Sequence, residues 1–178
     1  AAPAILKTCR LGYDGKGQAR CANVDEARAA FQSCNATPCV LEQLLPLKLE
    51  ISVVLARGFD GAIAAFPVAE NQHQNGILDI SVAPARIPDQ LAAEAQNIAQ
   101  RLATKLDYCG VLAIEFFVIE DNDGNEKLLI NEIAPRPHNS GHYTIDACLT
   151  SQFEQQVRAL CGLPLGPTTQ HTPAVMVN

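Results

Sequence analysis

Short apolar runs, several of them alternating with polar residues, cover most of this chain and predict more strands than helices. Residues 58–61, Gly-Phe-Asp-Gly, separate two of these runs and predict a hairpin, whereas the polar run 71–75 predicts a loop. The expected strands span residues 4–7, 40–42, 48–57, 62–69, 77–83, 111–119, 127–133 and 174–177.

Helices are predicted near both ends of the chain. Asn23, with Glu26 three residues later, resembles a capping box and predicts a helix over about residues 25–34. A last helix over about 145–161 has an apolar face formed by Phe153, Val157 and Leu160.

The clearest helical pattern follows Pro88, where Asp89 is the expected cap and Gly110 the expected end. The apolar residues at helical spacing are Leu91, Ala95, Ile98, Leu102 and Leu106. Because hairpins outnumber β-α-β crossovers, the chain is predicted to be α+β with mainly antiparallel sheets.

Length and charge limit the possible partners. The 178 residues fit one medium domain or two small lobes. A net charge of −6 and a pI near 5.1 argue against nucleic acid and anionic membranes as partners. No apolar run approaches the ~20 residues that span a bilayer, so a soluble protein is expected. The chain begins without Met in an apolar run, from which we expect a fragment of a longer protein.

The cysteines form no CxxC pair and no zinc-type cluster with histidine. Free structural thiols are therefore favoured over a disulfide or a catalytic thiol, and the expected location is the cytoplasm. The seven residues are Cys9, Cys21, Cys34, Cys39, Cys109, Cys148 and Cys161.

The strands at 111–119 and 127–133 predict a pair of facing carboxylates. A two-residue turn at Asp123-Gly124 would place Glu115 opposite Glu132. The same register pairs Phe117 with Ile130 and Ala113 with Ala134. Like charges about 5 Å apart are destabilising, so a cation or a shared proton is expected between them, and Mg²⁺ suits carboxylate oxygens. The alternative is that each glutamate pairs with Lys or Arg or points into solvent.

Two further segments carry candidate chemistry. Lys7 and the glycine-rich run 12–18 suit a phosphate-binding loop, although the spacing is neither that of a Walker A loop nor GxGxxG. A flexible surface hairpin is the alternative. Residues 131–142, with Arg136 and two histidines, suit anion binding and proton transfer, and the alternative is a solvated loop. Together with the glutamate pair, they indicate a Mg²⁺–nucleotide site of the phosphoryl-transfer type.

These residues resemble the ATP-grasp portion of the N5-carboxyaminoimidazole ribonucleotide synthase family over essentially the whole chain. The resemblance implies a two-lobed ATP-grasp fold, with a small lobe at 1–45 and a larger lobe at 46–178. It also implies a carbon–nitrogen ligase of purine biosynthesis, acting on ATP, bicarbonate and 5-aminoimidazole ribonucleotide, and a homodimer in the full-length enzyme. The matching segments are 6–8, 11–18, 50–53, 67–71, 76–78, 131–144, 151–154 and 162–166.

The resemblance also implies the roles of individual residues in binding ATP and Mg²⁺. Lys7 would bind phosphate, Glu50 the ribose and His73 the nucleotide. The loop that would close over the nucleotide consists of Gly12, Tyr13, Asp14, Gly15, Lys16, Gly17 and Gln18. The hinge that would hold adenine by backbone groups consists of Glu42, Gln43, Leu44 and Leu45. The ATP and Mg²⁺ ligands expected on the hairpin are Asn131 and Glu132 for ATP, and Glu115 and Glu132 for Mg²⁺.

Substrate contacts are implied in the same way. Those expected for the ribonucleotide come from Tyr13, Asp14, Lys16 and Arg136, and the residues expected to orient bicarbonate and the amine are Arg136, His138 and Asn139. Lys16 stands where many relatives have Arg, and Ala134 stands where the broader superfamily often has Asn at the second metal site. The alternatives are a different ATP-grasp ligase and a non-catalytic nucleotide-binding module.

Overall fold

The computed structural model describes residues 3–10, 12, 16–35, 37–74, 76–121 and 123–178. It divides into two compact units. The first consists of Ala1–Pro46 and His73–Ile77, and the second of Leu47–Gln72 and Leu78–Asn178.

The first unit contains a three-stranded antiparallel sheet in the order β2-β1-β3. Its strands are β1 (Ala4–Thr8), β2 (Gln18–Cys21) and β3 (Cys39–Gln43), and helix α1 (Val24–Ser33) joins β2 to β3. Alternate residues of β1 are buried, as expected for a strand with one face against the helix.

The capping signal before α1 is confirmed. The Glu26 backbone N–H donates to Asn23 Oδ1 at 2.9 Å, and the Ala22 N–H donates to Glu26 Oε2 at 2.8 Å. In the usual capping box the glutamate accepts from the N–H of the cap residue, whereas Glu26 accepts from the N–H of the residue before the cap. Two backbone N–H groups at the helix start are nevertheless paired with side chains.

A seven-stranded sheet, most of it in the second unit, has the order β10-β7-β6-β4-β8-β9, with β5 paired to β4. Every described pairing between these strands is antiparallel. The α+β prediction is therefore confirmed. The strands are β4 (Leu47–Arg57), β5 (Ile63–Ala65), β6 (Ala69–Gln74), β7 (Ile77–Ala83), β8 (Gly110–Glu120), β9 (Glu126–Ala134) and β10 (Ala174–Val177).

The two central strands of this sheet, β4 and β8, are buried on both faces. Helix α2 (Asp89–Lys105) covers one face, and Phe116 of β8 is fully buried beneath it, which stabilises the fold by roughly 2–3 kcal/mol. The other face packs against Tyr143, Ala147 and the chain near α3 (Thr144–Ala147). This second face also carries Glu115.

The expected cap of α2 is wrong. Pro88 occupies the capping position with no side-chain hydrogen bond, and Asp89 is already the first helical residue. Pro88 supplies an extended backbone just before the helix, which sets its start without a side-chain cap.

Strand β6 corrects the predicted loop at 71–75. Asn71 is buried and pairs with Glu50 across the ladder, and its Oδ1 accepts a hydrogen bond from Ser81 Oγ at 2.8 Å. Glu70 is buried too, and Arg86 Nε donates to its Oε2 at 3.0 Å, which lowers the pKa of Glu70 below its usual value. Glu70 and Asn71 occupy the buried half of this strand because each has a specific partner. The expected strand at 62–69 is likewise interrupted, since Pro67 has no N–H to donate.

The predicted last helix is two shorter helices, α3 and α4 (Gln152–Leu160). Gln152, Gln155 and Ala159 form the buried face of α4. The predicted apolar residues Phe153, Val157 and Leu160 are 41%, 58% and 59% exposed. Hydrogen bonds to the buried glutamines decide the orientation of this helix, as described below. Within the described ranges, no helix is both long and apolar enough to cross a membrane.

Candidate functional site

The hairpin β8–β9 contains the facing carboxylates. Glu115 lies directly opposite Glu132, and Ala113 opposite Ala134, as predicted. The Glu115 side chain is only 14% exposed, whereas Glu132 is exposed. Two carboxylates of one hairpin are therefore adjacent, one of them nearly buried.

The connection between the two strands differs from the predicted one, although the Glu115–Glu132 pairing is the same. Residues 121–125 form the connection, and Glu120 pairs with Glu126, so the predicted two-residue turn is wrong. Continued unchanged, that register would place Asn131 opposite Glu115. A β-bulge between Glu115 and Phe116 shifts the pairing by one residue and brings Glu132 opposite Glu115.

The predicted Phe117–Ile130 pair is consequently wrong, because Phe117 lies opposite Leu129. The hairpin therefore has two registers, one from Phe116 to the turn and another, shifted by one residue, from Glu115 inward. The extra residue at the bulge is Asn131, and its Nδ2 donates to Glu115 Oε2 at 3.4 Å.

Glu115 has a second polar neighbour on the central strand. Ser52 of β4 lies directly opposite it in the ladder and is fully buried. Its Oγ has no hydrogen-bond partner in the part of the chain that the structure describes. A buried hydroxyl oxygen that no described residue pairs therefore lies next to Glu115.

His138 completes the surroundings of Glu115. Its Nε2 lies 3.4 Å from Glu115 Oε1, and its side chain is 12% exposed. The Ser140 backbone N–H donates to Nδ1 of His138, and Ser140 Oγ lies 2.9 Å from the same atom. Because Nδ1 accepts a hydrogen bond, the neutral ring carries its proton on Nε2, the nitrogen that faces Glu115.

Gln152 fixes the backbone of His138. The His138 N–H donates to Gln152 Oε1 at 3.0 Å, and Gln152 Nε2 donates to the His138 carbonyl at 2.6 Å. Gln152 is fully buried at the start of α4. A Cβ at Gly141 would lie 2.6 Å from Gln152 Oε1, so glycine at that position leaves room for the amide.

Gln155, one turn along α4, makes the same kind of two-way contact elsewhere. Its Nε2 donates to the Gly166 carbonyl at 2.6 Å, and the Gly166 N–H donates to its Oε1 at 3.0 Å. Neither glutamine was identified from the sequence. The sequence signal for them is two glutamines three residues apart, the first directly after the Ser151 cap. This pattern does not predict which backbone groups the two side chains bind.

The other predicted residues of the polar loop lie close by. Arg136 is exposed and its Nη1 donates to the Pro137 carbonyl at 3.0 Å, while Asn139 begins a 3-10 turn (Asn139–Gly141). Tyr143 anchors the end of the loop, since its hydroxyl donates to the Pro67 carbonyl at 2.8 Å and burial raises the pKa of its phenol.

The phosphate-loop candidates lie in the first unit. Lys7 Nζ is 2.5 Å from Glu42 Oε2, so the expected phosphate ligand is paired with the first residue of the expected hinge. The ladder places Gln18 opposite Lys7. Gly17 has a φ of 74°, and a Cβ there would lie 2.5 Å from Thr8 Oγ1, so glycine is required.

The remaining predicted residues are spread over both units. In the glycine-rich run the structure describes Gly12, Lys16, Gly17 and Gln18. Tyr13, Asp14 and Gly15 lie outside the described residues. Gln43 ends β3, and the Leu44 N–H donates to the Pro3 carbonyl at 3.1 Å, with Leu45 next along the chain. Glu50 lies on β4 opposite Phe117, in the second unit, whereas His73 on β6 belongs to the first.

The donors around Glu115 fit Mg²⁺. No group of three or more His, Cys, Asp or Glu side chains suited to a metal occurs among the described residues. Mg²⁺ commonly takes one or two carboxylates and completes its shell with water and substrate phosphates. Glu115 and Glu132 supply that number of carboxylates, and the remaining ligands would have to come from a phosphate-bearing substrate.

Comparison with known proteins shows the family to which the chain belongs. The family model described as "ATP-grasp domain" matches residues 1–153. The chain is 49% identical, over 176 residues, to the N5-carboxyaminoimidazole ribonucleotide synthase of Bacillus subtilis, covering 99% of this chain and 45% of that protein. The chain thus spans about half the length of the curated relatives it matches.

Solved structures give the same result. The N5-carboxyaminoimidazole synthetase of Staphylococcus aureus complexed with ADP is 41% identical, with a TM-score of 0.90, and the match covers 99% of this chain and 46% of that one. The synthase of Aspergillus clavatus, in complex with ADP and 5-aminoimidazole ribonucleotide, is 29% identical with a TM-score of 0.88. That match covers 100% of this chain and 46% of that one.

Proposed function

The chain belongs to the ATP-grasp family, and from this premise we propose that it carries the nucleotide and metal chemistry of an ATP-dependent ligase. The reaction is the carboxylation of 5-aminoimidazole ribonucleotide by bicarbonate. The observation that carries the proposal is the Glu115–Glu132 pair, with His138 and Asn131 on Glu115. Such a cluster suits a substrate that brings its own phosphates and a divalent cation.

The proposed reaction joins carbon to nitrogen in two steps. A bicarbonate oxygen attacks the γ-phosphorus of ATP, the bond to the ADP oxygen breaks, and carboxyphosphate forms. Carboxyphosphate then delivers its carbon to the amine of the ribonucleotide; phosphate leaves with the electron pair of the broken C–O bond, and the amine nitrogen gives up one proton. The products are ADP, phosphate and N5-carboxyaminoimidazole ribonucleotide.

The residues of this chain would mainly position reactants. Mg²⁺ held by Glu115 and Glu132 would neutralise phosphate charge. Arg136 offers a planar fork for an anion, and His138 holds its Nε2 proton beside Glu115. Asn139 would orient bicarbonate and the amine together with these two residues.

Nucleotide phosphate would compete with Glu42 for Lys7. The two side chains are 2.5 Å apart, so Lys7 is already held in place by an ion pair on the neighbouring strand. The proposal assigns the phosphate loop to Gly12–Gln18, the adenine contacts to the backbone of 42–45, the ribose to Glu50 and a nucleotide contact to His73. It also includes a cytoplasmic location and a homodimer of the complete enzyme, as expected from the family.

Calorimetric titration with ADP, in Mg²⁺ and then in EDTA, tests the metal pair. We expect Mg²⁺-dependent binding by the natural chain and its loss in Glu132→Gln. Glu126→Gln is the matched control, because Glu126 belongs to another facing pair of the same hairpin. Equal binding by the natural chain and Glu132→Gln would contradict the metal assignment.

Substrate-stimulated ATP hydrolysis tests the acceptor. Phosphate release that rises with 5-aminoimidazole ribonucleotide and bicarbonate supports the proposed reaction. Stimulation by a different amine or acid, with none from this ribonucleotide, would assign the chain to another ATP-grasp ligase.

A further inference from the structure

Three cysteines of the first unit converge at one end of its sheet. Cys34 follows the last residue of α1, Cys39 is the first residue of β3, and Cys9 directly follows β1. The ladder pairs Thr8 with Cys39, and the Cys9 N–H donates to the Pro38 carbonyl at 2.9 Å. The sequence showed these cysteines only as scattered positions.

A tight turn holds Cys34 and Cys39 together. The Thr37 N–H donates to the Cys34 carbonyl at 3.1 Å, and the Thr37 hydroxyl donates to the same oxygen. These two contacts bring Thr37 back to Cys34, and Cys39 follows two residues later, so the two cysteines lie close together. Both are partly exposed, so a small reagent has access to them.

The two thiols differ in their surroundings. Cys39 Sγ donates to the Thr37 carbonyl at 3.1 Å, and burial, followed by the neighbouring Cys34 thiol, raises the pKa of Cys39. A raised pKa makes the Cys39 thiolate harder to form, so we assign the first attack on an external reagent to Cys34.

We propose that Cys34 and Cys39 are a redox-sensitive dithiol that closes to a disulfide when a low-molecular-weight disulfide such as oxidised glutathione is present. The Cys34 thiolate attacks one sulfur of glutathione disulfide, forms a mixed disulfide and releases one glutathione thiolate. Cys39 loses its proton and attacks the Cys34 sulfur, which releases the second glutathione. Two protein thiols are oxidised and one disulfide is reduced to two thiols.

The second step is intramolecular, and this makes the pair distinctive. Only residues 35–38 separate the two cysteines, so the second step needs no second reagent molecule and competes well with one. The new bond would tie the end of α1 to the start of β3. Cys161, exposed in the second unit, offers a comparison thiol in the same molecule.

Peptide mass spectrometry tests this proposal directly. The folded chain is treated with oxidised glutathione, alkylated with N-ethylmaleimide and digested with trypsin. Cleavage after Arg28 and Lys48 leaves both cysteines in one peptide, residues 29–48, whereas Cys9 falls in the separate peptide 8–10. We expect peptide 29–48 to lose two hydrogen atoms and take up no alkyl label, and dithiothreitol to restore full labelling.

Matched variants identify the bonded pair. Cys9→Ser and Cys161→Ser should both form the internal bridge as the natural chain does. Cys34→Ser should abolish it, and Cys39→Ser should instead trap glutathione on Cys34. Ring closure should exceed stable glutathione addition at Cys161 by about tenfold or more under the same conditions.

Two outcomes would overturn the proposal. One is a peptide 29–48 that still carries two alkyl labels, or two separate glutathione groups, after oxidation of the natural chain. The other is a covalent link between peptides 8–10 and 29–48, which would assign the reactive pair to Cys9 instead.

Discussion

Two pairs of glutamates face each other across the hairpin β8–β9, and their surroundings are different. The outer pair, Glu120 and Glu126, shares a lysine, because Lys48 Nζ lies 3.2 Å from Glu120 and 2.7 Å from Glu126. The inner pair, Glu115 and Glu132, is contacted at Glu115 by the Asn131 amide and the His138 ring.

The difference separates a structural pair from a candidate site. Facing carboxylates are destabilising, and the outer pair is compensated by a cation that belongs to the fold. The inner pair instead depends on a β-bulge and on a histidine held by a buried glutamine. These features place carboxylate oxygens next to each other, with the Asn131 amide and the His138 ring on Glu115, and the proposed Mg²⁺ site rests on this arrangement.

Converting the inner pair to the chemistry of the outer pair should have the largest effect. Glu132→Lys would place an ammonium group opposite Glu115, and its positive charge would compensate the Glu115 carboxylate. We expect Mg²⁺-dependent ADP binding to fall by about 100-fold or more, with little change in melting temperature. Calorimetry and thermal unfolding of the variant, with Glu126→Lys as control, measure both quantities. Binding that survives in Glu132→Lys would make the inner pair another structural pair.

Removing the clamp on His138 should have the next largest effect. Gln152→Ala would leave the His138 backbone groups unsatisfied and open a cavity, at a cost of about 3 kcal/mol in the free energy of unfolding. Gln155→Ala should cost a similar amount, because Gln155 makes the equivalent contacts with Gly166.

Only the first substitution should weaken Mg²⁺-dependent ADP binding, by about tenfold, since only Gln152 positions a side chain that contacts Glu115. Urea unfolding and calorimetry separate the two effects. Equal loss of binding in both variants would show that Gln152 acts through stability alone.

Removing the cation from the outer pair should have a smaller effect, confined to stability. Lys48→Met would leave Glu120 and Glu126 facing each other and lower the melting temperature at neutral pH, with ADP binding unchanged. Hydrogen bonds from Lys48 to Glu126 and Glu120 raise the pKa of the lysine above 10.5. A raised pKa means that this stabilisation is complete below pH 10.5 and is lost as pH rises through the folded value. Thermal unfolding should therefore distinguish the variant from the natural chain at pH 8 and show convergence at more alkaline pH.

The smallest effect is expected at the turn that sets the outer register. Asp121 accepts hydrogen bonds from the backbone N–H groups of Asp123 and Asn125, and Lys127 lies 2.9 Å away. Its pKa is lowered from 3.8 to about 2, with the Lys127 contact as the main cause. The contribution is therefore present above pH 3.8 and lost as pH falls through about 2. Asp121→Asn should be slightly less stable at pH 7, and the difference from the natural chain should shrink below pH 3.8 and vanish only below about pH 2, as measured by urea unfolding.

The candidate site was only partly predictable. Glu115 was expected opposite Glu132, and the two are opposite each other, but the expected turn was wrong and the bulge at Asn131 restored the pairing. A local turn rule cannot include a bulge, because the extra residue is accommodated by the strand across the ladder. The individual roles assigned to residues such as Lys7, Glu50 and Arg136 stay predictions.

Elements whose signals are local can be located from the sequence alone. Residue alternation located β4, β7, β8 and β9, and the Asn23–Glu26 spacing located the start of α1, since caps and periodicity act within a few residues. Tertiary structure decided the rest. β6 is a strand because Asn71 pairs with Glu50 on β4 and accepts from Ser81 on β7, and α4 buries its glutamines because distant backbone groups need them. A polar side chain becomes favourable inside the protein only when its hydrogen-bond partner is present, and that partner is brought close by the fold.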